Sequence, residues 1–220
     1  MAKVGVLTIG QSPRTDATPS IQSILGDSIE VIEKGALDRF TEEELHLVAP
    51  SELEETYISR LRNGNSVKIG KKKLLPLLQE ELSLLENEVD IILMLCTGEF
   101  TTLKTNKPIL YPDKILFHTV KAILTDGKLG LIIPLEEQRE TLIAKWHGLG
   151  VQLEIGIATP YDRSDIMGEA KKLKNKGVNM IVLDCMGYHE EHKKQAQKST
   201  GLPIILPRTL LARVAKEYVS

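Results

Sequence analysis

Cysteine is scarce in this 220-residue sequence, which contains only Cys96 and Cys185. Two thiols cannot build the disulfide framework on which small secreted domains depend. Nothing ahead of the first apolar run, which starts at Val4, has the pattern of a signal peptide. We therefore expect a cytoplasmic protein in which both thiols are reduced.

Long hydrophobic runs and an excess of one charge are also missing. No apolar stretch approaches the roughly 20 residues that a membrane-spanning helix needs. The 28 basic and 30 acidic side chains leave a net charge of -2. This balance gives no electrostatic reason to bind nucleic acid or an anionic membrane, so we expect neither partner.

Both cysteines follow a short apolar run and precede a glycine by two positions. Cys96-Thr97-Gly98 follows the run 91–95, and Cys185-Met186-Gly187 follows the run 180–183 and one aspartate. Runs of this length, rich in Ile, Val and Leu, are typical of strands buried on both faces in a parallel sheet. The carboxyl ends of such strands form the ligand crevices of α/β proteins. A buried cysteine is often only a small core residue, but the repeated context favours a functional site.

Strands alternate with helices along almost the whole chain, which predicts an α/β fold with mainly parallel sheets flanked by helices. The run at Val4 is similar to a run at Leu129, as the two cysteine runs are to each other. We therefore predict two similar lobes with a ligand cleft between them. The N-terminal lobe comprises residues 1–115 plus 207–220, and the C-terminal lobe comprises residues 116–206. The turn Asn63-Gly64-Asn65 predicts a hairpin, 57–69, inserted in the N-terminal lobe.

Three other segments have informative patterns. The leucines between Leu74 and Leu85 predict a helix, in which Pro76 is tolerable only in the first turn. The segment 97–112 has little periodicity and is expected to be a long loop. A helix is predicted over 162–176, where acidic residues come early and lysines late.

Two thiols that face one ligand could move a proton on it. One thiolate can remove a proton from a carbon next to a carboxylate, and the other thiol can deliver one to the opposite face. Cys185 stands before the helix that begins near His189, and a helix N-terminus lowers the pKa of a thiol. Arg14, in the loop after the first strand, could bind a carboxylate with its guanidinium fork or could be an ordinary exposed arginine.

A metal site is an alternative for the same region. Cys185, His189 and His192 have the spacing i, i+4 and i+7, and Cys96 could complete a set of four zinc ligands. The two histidines fit a solvated first helical turn equally well.

Three segments of the chain resemble a known family: Leu7-Thr8-Ile9-Gly10-Gln11-Ser12-Pro13-Arg14, Asp90-Ile91-Ile92-Leu93-Met94-Leu95-Cys96-Thr97 and Leu183-Asp184-Cys185-Met186-Gly187-Tyr188-His189. The two halves, the Cys-x-Gly strand ends and the histidine after the second one resemble the aspartate/glutamate racemase superfamily. Within that superfamily the three segments look like the AroM family, and the likeness covers nearly the whole chain.

The resemblance implies a cofactor-independent racemase or isomerase in which Cys96 and Cys185 are the catalytic thiols. The implied substrate-binding residues follow the first strand or adjoin the thiols: Gln11, Ser12, Arg14, Thr97, Gly98, Met186, Gly187 and His189. No cofactor and no metal is implied. The expected partner is a small carboxylate-containing molecule, and assembly into a homo-oligomer is left open.

The chain departs from the racemase pattern at three places. Racemases typically have Cys-Asn-Thr where this chain has Cys96-Thr97-Gly98, and Cys-Thr-His where it has Cys185-Met186-Gly187-Tyr188-His189. The acid that follows their first strand is replaced by Gln11. These departures keep open a second interpretation, a non-catalytic or regulatory protein that binds a small carboxylate on the same fold.

Overall fold

The computed structural model describes residues 1–161 and 164–220, and this part of the chain forms seven α-helices and ten strands. The chain divides into two compact units, Met1–Pro112 with Leu211–Ser220 and Asp113–Leu210. Each unit contains one four-stranded parallel sheet, and a two-stranded hairpin is added to the first. The predicted α/β class with two similar lobes is confirmed.

The first unit begins with a strand, a helix and a strand, continues through the hairpin and a long helix, and ends with two more strands. Its elements are β1 (Lys3–Thr8), α1 (Thr18–Leu25), β2 (Glu30–Gly35), β3 (Thr56–Arg60), β4 (Ser66–Gly70), α2 (Lys71–Leu85), β5 (Ile91–Leu95) and β6 (Ile109–Leu110). The strand order in its parallel sheet is β2-β1-β5-β6.

The second unit alternates helices and strands throughout, and its last helix runs back into the first unit. Its elements are α3 (Pro112–Ile123), β7 (Lys128–Ile133), α4 (Arg139–Trp146), β8 (Gln152–Ile157), α5 (Ile166–Asn175), β9 (Met180–Leu183), α6 (Glu190–Thr200), β10 (Ile204–Ile205) and α7 (Pro207–Val219). The strand order is β10-β9-β7-β8. When the strands are numbered within each unit, without the hairpin, the first sheet has the order second, first, third, fourth. The second sheet has the same order when it is read from β8 to β10.

A glycine in the first strand of each sheet explains the repeated apolar-Gly-apolar pattern. A Cβ on Gly5 would lie 2.9 Å from Leu85 of α2, and one on Gly130 would lie 3.3 Å from Leu173 of α5. Each glycine therefore allows the helix that precedes the third strand to pack closely on the first strand. Large apolar side chains fill the remaining space, and the central strands β5 and β9 are buried along their whole length.

The hairpin of β3 and β4 forms where the turn signal predicted it. Its strands pair antiparallel, Gly64 has a φ of 88°, and the Asn63 side chain accepts a hydrogen bond of 2.9 Å from the backbone of Asn65. Only glycine adopts such a φ without strain, which explains the residue type at this turn.

Two predictions about the first unit are wrong, and one about the second is only partly tested. Helix α2 begins at Lys71, so Pro76 is exposed in its second turn and not in its first. The segment 97–112 is not a plain loop, because Ile109–Leu110 adds the edge strand β6 and Pro112 begins α3. The helix expected over 162–176 is observed from Ile166 to Asn175, while residues 162 and 163 lie outside the described part of the chain.

Candidate functional site

The two cysteines occupy equivalent positions in the two sheets. In the first sheet Leu7 of β1 pairs with Met94 of β5, and Cys96 follows two residues later. In the second sheet Ile132 of β7 pairs with Leu183 of β9, and Cys185 again follows two residues later. Each thiol therefore stands at the carboxyl end of the third strand of its own unit, which is the edge where open α/β sheets bind ligands.

The local geometry of the two thiols is also the same. Both are reduced and half-buried. The backbone N–H of Gly98 donates to Cys96 Sγ at 3.4 Å, and the backbone N–H of Gly187 donates to Cys185 Sγ at 3.4 Å. A hydrogen bond to the charged form of a group favours that form, so each turn stabilises a thiolate.

In the first unit, Tyr57 of β3 covers the turn after Cys96. A Cβ on Gly98 would lie 2.9 Å from both Cζ and the hydroxyl oxygen of Tyr57, so only glycine fits beneath this ring. The Tyr57 hydroxyl donates to Glu55 at 2.5 Å, and the other oxygen of Glu55 accepts a 2.6 Å ion pair from Lys71. Burial raises the pKa of Tyr57 well above its usual value, and the nearby charges of Cys96, Glu55 and Glu99 raise it further.

In the second unit, Tyr161 and Pro160 cover the corresponding glycine. A Cβ on Gly187 would lie 2.6 Å from the Tyr161 hydroxyl and 2.7 Å from Pro160 Cγ. Tyr188, on the other side of this turn, is fully buried and donates to the Ala158 carbonyl at 2.5 Å. Burial raises the pKa of Tyr188, with further contributions from Cys185, Asp184 and Tyr161, so Tyr188 is a neutral donor.

The carboxyl group of Asp184, the residue next to Cys185, points towards α4. Its Oδ2 accepts a 2.7 Å ion pair from Lys145 and a 2.8 Å hydrogen bond from the indole N–H of Trp146, both on α4. Cys185 packs instead against the apolar cluster that contains Tyr188. This opposite orientation is the one expected for neighbouring residues at a strand end.

His189 and His192 form a stacked pair at the start of α6. Their ring centroids are 3.6 Å apart, and the His189 backbone N–H donates to Nδ1 of His192 at 3.3 Å. Burial lowers the pKa of His192 to about 4, and the neighbouring His189 and Arg208 charges act in the same direction. His192 is therefore neutral near pH 7, and His189 is the N-cap residue of the helix.

The loop after β1 brings the other expected ligand residues to the same sheet edge as Cys96, but their polar groups already bind the protein. The Gln11 amide donates to the carbonyls of Leu37 and Phe40 and accepts from the backbone of Arg62. The Ser12 hydroxyl donates to Asp38 at 2.6 Å.

Arg14 has the predicted carboxylate-binding geometry, with a carboxylate from its own loop. Its Nε and Nη2 each lie 2.8 Å from an oxygen of Asp16, while Nη1 donates to Thr8 and Ser59. The side chain is only 3% exposed, so the alternative of an ordinary exposed arginine is wrong. The fork orders the loop at the edge where Cys96 lies.

The remaining predicted residues lie in the cysteine turns. Thr97 and Met186, which follow the thiols directly, are buried, and Gly98 and Gly187 contact the tyrosines described above. The structure thus assembles Gln11, Ser12, Arg14, Cys96, Thr97 and Gly98 in the first unit and Cys185, Met186, Gly187 and His189 in the second.

Neither a metal cluster nor a membrane span is found in the described residues. Within 1–161 and 164–220, no three His, Cys, Asp or Glu side chains are grouped so that they could bind a metal ion. The alternative of Cys185, His189, His192 and Cys96 as zinc ligands gains no support from this geometry. Every helix in the same ranges is too short or too polar to cross a bilayer.

Sequence reasoning missed Tyr57, Tyr161 and Arg208. The tyrosines come from segments that follow the second strand of each unit, far from the thiols in sequence, and no motif marks them. Arg208 had a weak signal, because Ile204-Ile205-Leu206-Pro207-Arg208 repeats the pattern of Ile109-Leu110-Tyr111-Pro112-Asp113. It donates to the carbonyls of Met186 and Gly187.

Comparisons with known proteins agree with this fold. A protein-family model described as AroM protein matches residues 4–219. A mutant of arylmalonate decarboxylase in the liganded form superposes with a TM-score of 0.65 at 11% identity, covering 100% of this chain and 92% of its own. Glutamate racemase from Aquifex pyrophilus has a TM-score of 0.62 at 14% identity, with 99% and 84% covered, and allantoin racemase from Klebsiella pneumoniae has 0.64 at 14%, with 100% and 88% covered. At these identities the likeness shows the fold. A search of curated proteins gave no match.

Proposed function

We propose that this chain, which belongs to the AroM family, is a cofactor-independent racemase or isomerase that moves a proton on a small carboxylate with Cys96 and Cys185. The observation that carries the proposal is the equivalence of the two thiols. They stand at the same register position of two sheets with the same strand order, and each accepts a 3.4 Å hydrogen bond from the glycine two residues later. Packing in the core alone would not require the same register position and the same glycine hydrogen bond at both cysteines.

The chemistry needs two groups that exchange protons with the same carbon. One thiolate removes the proton next to the carboxylate, and the electron pair of the broken C–H bond remains on the substrate as an enolate. The other thiol returns a proton to that carbon. The glycine N–H at each sulfur stabilises whichever cysteine is the thiolate, so either cysteine can hold the negative charge during the reaction.

The solved structures that share the fold support the reaction class. Two of the three described above are named as racemases and one as a decarboxylase of arylmalonate. Inversion at a carbon that bears hydrogen requires removal and return of a proton, which is what two thiols can provide. Racemases acting on a carboxylic acid such as glutamate point to a small carboxylate as the substrate class.

A second candidate is a non-catalytic protein that binds a small carboxylate. The observation that favours it concerns Gln11, which stands where racemases have an acid. Its amide is fully engaged with the carbonyls of Leu37 and Phe40 and the backbone of Arg62. Gln11 therefore supplies neither a proton nor a base, and the two thiols would have to work without that acid.

Proton exchange at carbon separates the two candidates. Purified protein is incubated in deuterated water with a panel of amino acids, hydroxy acids and dicarboxylates, and deuterium at the α-carbon is followed by NMR. We expect exchange with at least one member, and loss of at least 10²-fold when both thiols are replaced in Cys96→Ser/Cys185→Ser, the lower range for general acid–base catalysis.

The serine variants and binding measurements decide between the enzyme and the non-catalytic binding protein. Serine keeps the size of the side chain but has a hydroxyl of much higher pKa, so circular dichroism should be unchanged while exchange is lost. A panel member that binds by calorimetry without exchanging would favour the non-catalytic candidate. Exchange that survives in the double variant Cys96→Ser/Cys185→Ser would exclude the two-thiol mechanism.

A further inference from the structure

Arg208 is a buried cation attached to the turn that contains Cys185. Its side chain is 1% exposed. Nε and Nη2 donate to the Met186 carbonyl at 3.0 and 2.7 Å, and Nη2 also donates to the Gly187 carbonyl at 3.1 Å. A guanidinium presents several donors in a rigid plane, so two neighbouring carbonyls bound in this way have a fixed orientation.

The residues that Arg208 holds are those that shape the thiol site. The Gly187 N–H, which donates to Cys185 Sγ, shares its planar peptide unit with the Met186 carbonyl, so fixing that carbonyl also fixes the direction of the N–H. The same cation binds the carbonyls of the two residues that follow Cys185, so a positive charge is attached to the turn that contains this thiol. A nearby cation and a directed N–H both stabilise a thiolate, and a guanidinium stays charged at any physiological pH.

The acidic residue next to Cys185 in the chain has a counter-ion of its own. Asp184 is paired with Lys145 and faces α4. Tyr188 is neutral, since burial raises its pKa, and His192 is neutral near pH 7. Tyr161 lies against Gly187, and His189 stacks on His192.

The equivalent position in the first sheet has the opposite charge. In the second sheet Val182 pairs with Ile205, and Cys185 and Arg208 each follow three residues later. In the first sheet Leu93 pairs with Leu110, and Cys96 and Asp113 each follow three residues later. Both charged residues are buried and both come directly after a proline, Pro207 and Pro112.

We propose that Arg208 is a positioning residue that maintains Cys185 as the resting thiolate, while Cys96, whose register counterpart is the acidic Asp113, rests as the thiol. This assignment rests on the proposed function and gives it a direction. Cys185 sulfur takes the proton from the substrate carbon and forms an S–H bond, and the C–H electron pair remains as the enolate. Cys96 then gives its S–H proton to that carbon and becomes a thiolate, and proton exchange with water restores the starting state.

The test is the pH dependence of alkylation at each thiol, measured without substrate. Intact protein is treated briefly with iodoacetamide at a series of pH values, and modification of Cys96 and Cys185 is quantified separately by mass spectrometry. We expect Cys185 to react with a lower pH midpoint than Cys96. In Arg208→Met the Cys185 midpoint should rise by about one pH unit, so that its rate near pH 7 falls about tenfold, while Cys96 is unaffected.

Two further variants separate charge from packing. Arg208→Lys keeps the charge but not the fork, so part of the low midpoint should remain. Arg213→Met, on the exposed side of α7, should change neither thiol. A Cys185 midpoint that is the same in folded Arg208→Met as in the parent would overturn the proposal. If Arg208→Met does not fold, a parent in which Cys96 has the lower midpoint overturns it, and the predicted order with partial retention in Arg208→Lys supports it.

The alkylation experiment and the deuterium-exchange experiment test the role of Arg208 and the proposed function separately. Alkylation reports the ionisation of the thiols whether or not a substrate is known, and deuterium exchange reports the reaction. The predicted alkylation profile without exchange would retain the role of Arg208 and reject the enzyme.

Discussion

At the scale of single residues, the second unit contains a partly buried histidine and a buried ion pair, each with defined hydrogen-bond partners. Nδ1 of His192 accepts the His189 N–H, which requires a lone pair and therefore an unprotonated nitrogen. Asp184 is buried, and Lys145 and Trp146 both bind its Oδ2. Each makes a separate prediction about stability.

His192 predicts a loss of stability in mild acid. Its pKa is about 4 in the folded protein against an ordinary 6.5, so the unfolded chain binds the proton first as the pH falls. The stability that the neutral His192 contributes to the folded protein is fully present above pH 6.5. It decreases between pH 6.5 and 4 and is lost below pH 4. With allowance for partial exposure, the loss is about 2 to 3 kcal/mol. Urea unfolding at several pH values should show this slope in the parent and a smaller one in His192→Asn, whereas His147→Asn, at an exposed position, should keep the parental slope.

The pair Lys145–Asp184 predicts a large effect from a single substitution. The two side chains are 6% and 0% exposed, so Lys145→Met leaves a buried carboxyl group that keeps the Trp146 hydrogen bond at Oδ2 and loses its ion pair. Breaking such a pair costs about 3–5 kcal/mol. The matched control is Lys172→Met, which breaks the exposed pair with Glu169 and should cost less than about 1 kcal/mol. Equal urea midpoints for the two variants would contradict the assignment.

At the scale of elements, each Cys-x-Gly turn is a short segment closed from outside by a tyrosine. Tyr57 is brought to Gly98 by the hairpin, and Tyr161 is brought to Gly187 by the loop after β8. The hairpin therefore contacts the Cys96 turn in the first unit, although it pairs with no strand of the parallel sheet.

Gly98→Ala should disturb this turn without unfolding the protein. The new Cβ would meet the ring of Tyr57, which is buried and hydrogen-bonded to Glu55 and so has little room to retreat. We expect a destabilisation of about 1–3 kcal/mol and faster alkylation of Cys96 as its turn opens. Gly148→Ala is the control, since its Cβ would meet Phe117 at an ordinary 3.4 Å. If both variants behave alike, the ring does not constrain the turn.

The elements that the sequence predicted correctly are those with local signals. The hairpin follows from Asn63-Gly64-Asn65, and β5 and β9 follow from their apolar runs. Strand β6 was missed because it is two residues long and lies between Pro108 and Pro112, where nothing local distinguishes it from a loop. The positions of Cys96 and Cys185 at strand ends were predictable, but the tyrosines and Arg208 reach the turns through tertiary packing, which no sequence spacing records.

At the scale of the whole molecule, the two units differ in how the chain builds them. The second is continuous, from Asp113 to Leu210, and its two apolar clusters consist only of residues in that range. The first needs the C-terminal segment, because the buried side chains of Leu211, Ala212 and Ala215 belong to it.

Two truncations test this difference. A fragment of residues 113–210 should fold alone, with a cooperative thermal transition followed by circular dichroism, because its sheet and its core are complete. A chain that ends at residue 210 should keep slow amide exchange in β7 and β9 and lose it in β1 and β5. Equal protection of both sheets in the shortened chain would show that the C-terminal segment is dispensable for the first unit.

The repeated strand order, with a thiol at the same register position each time, is the arrangement that duplication of one ancestral half followed by fusion would produce. A symmetric pair of separate chains must carry every mutation twice, so its two thiols would share one environment. A fused chain is free of that constraint, and one copy can acquire an arginine while the other acquires an aspartate. Asp113 and Arg208 are then a record of divergence after fusion, and under the proposed assignment they would give the two sulfurs different roles.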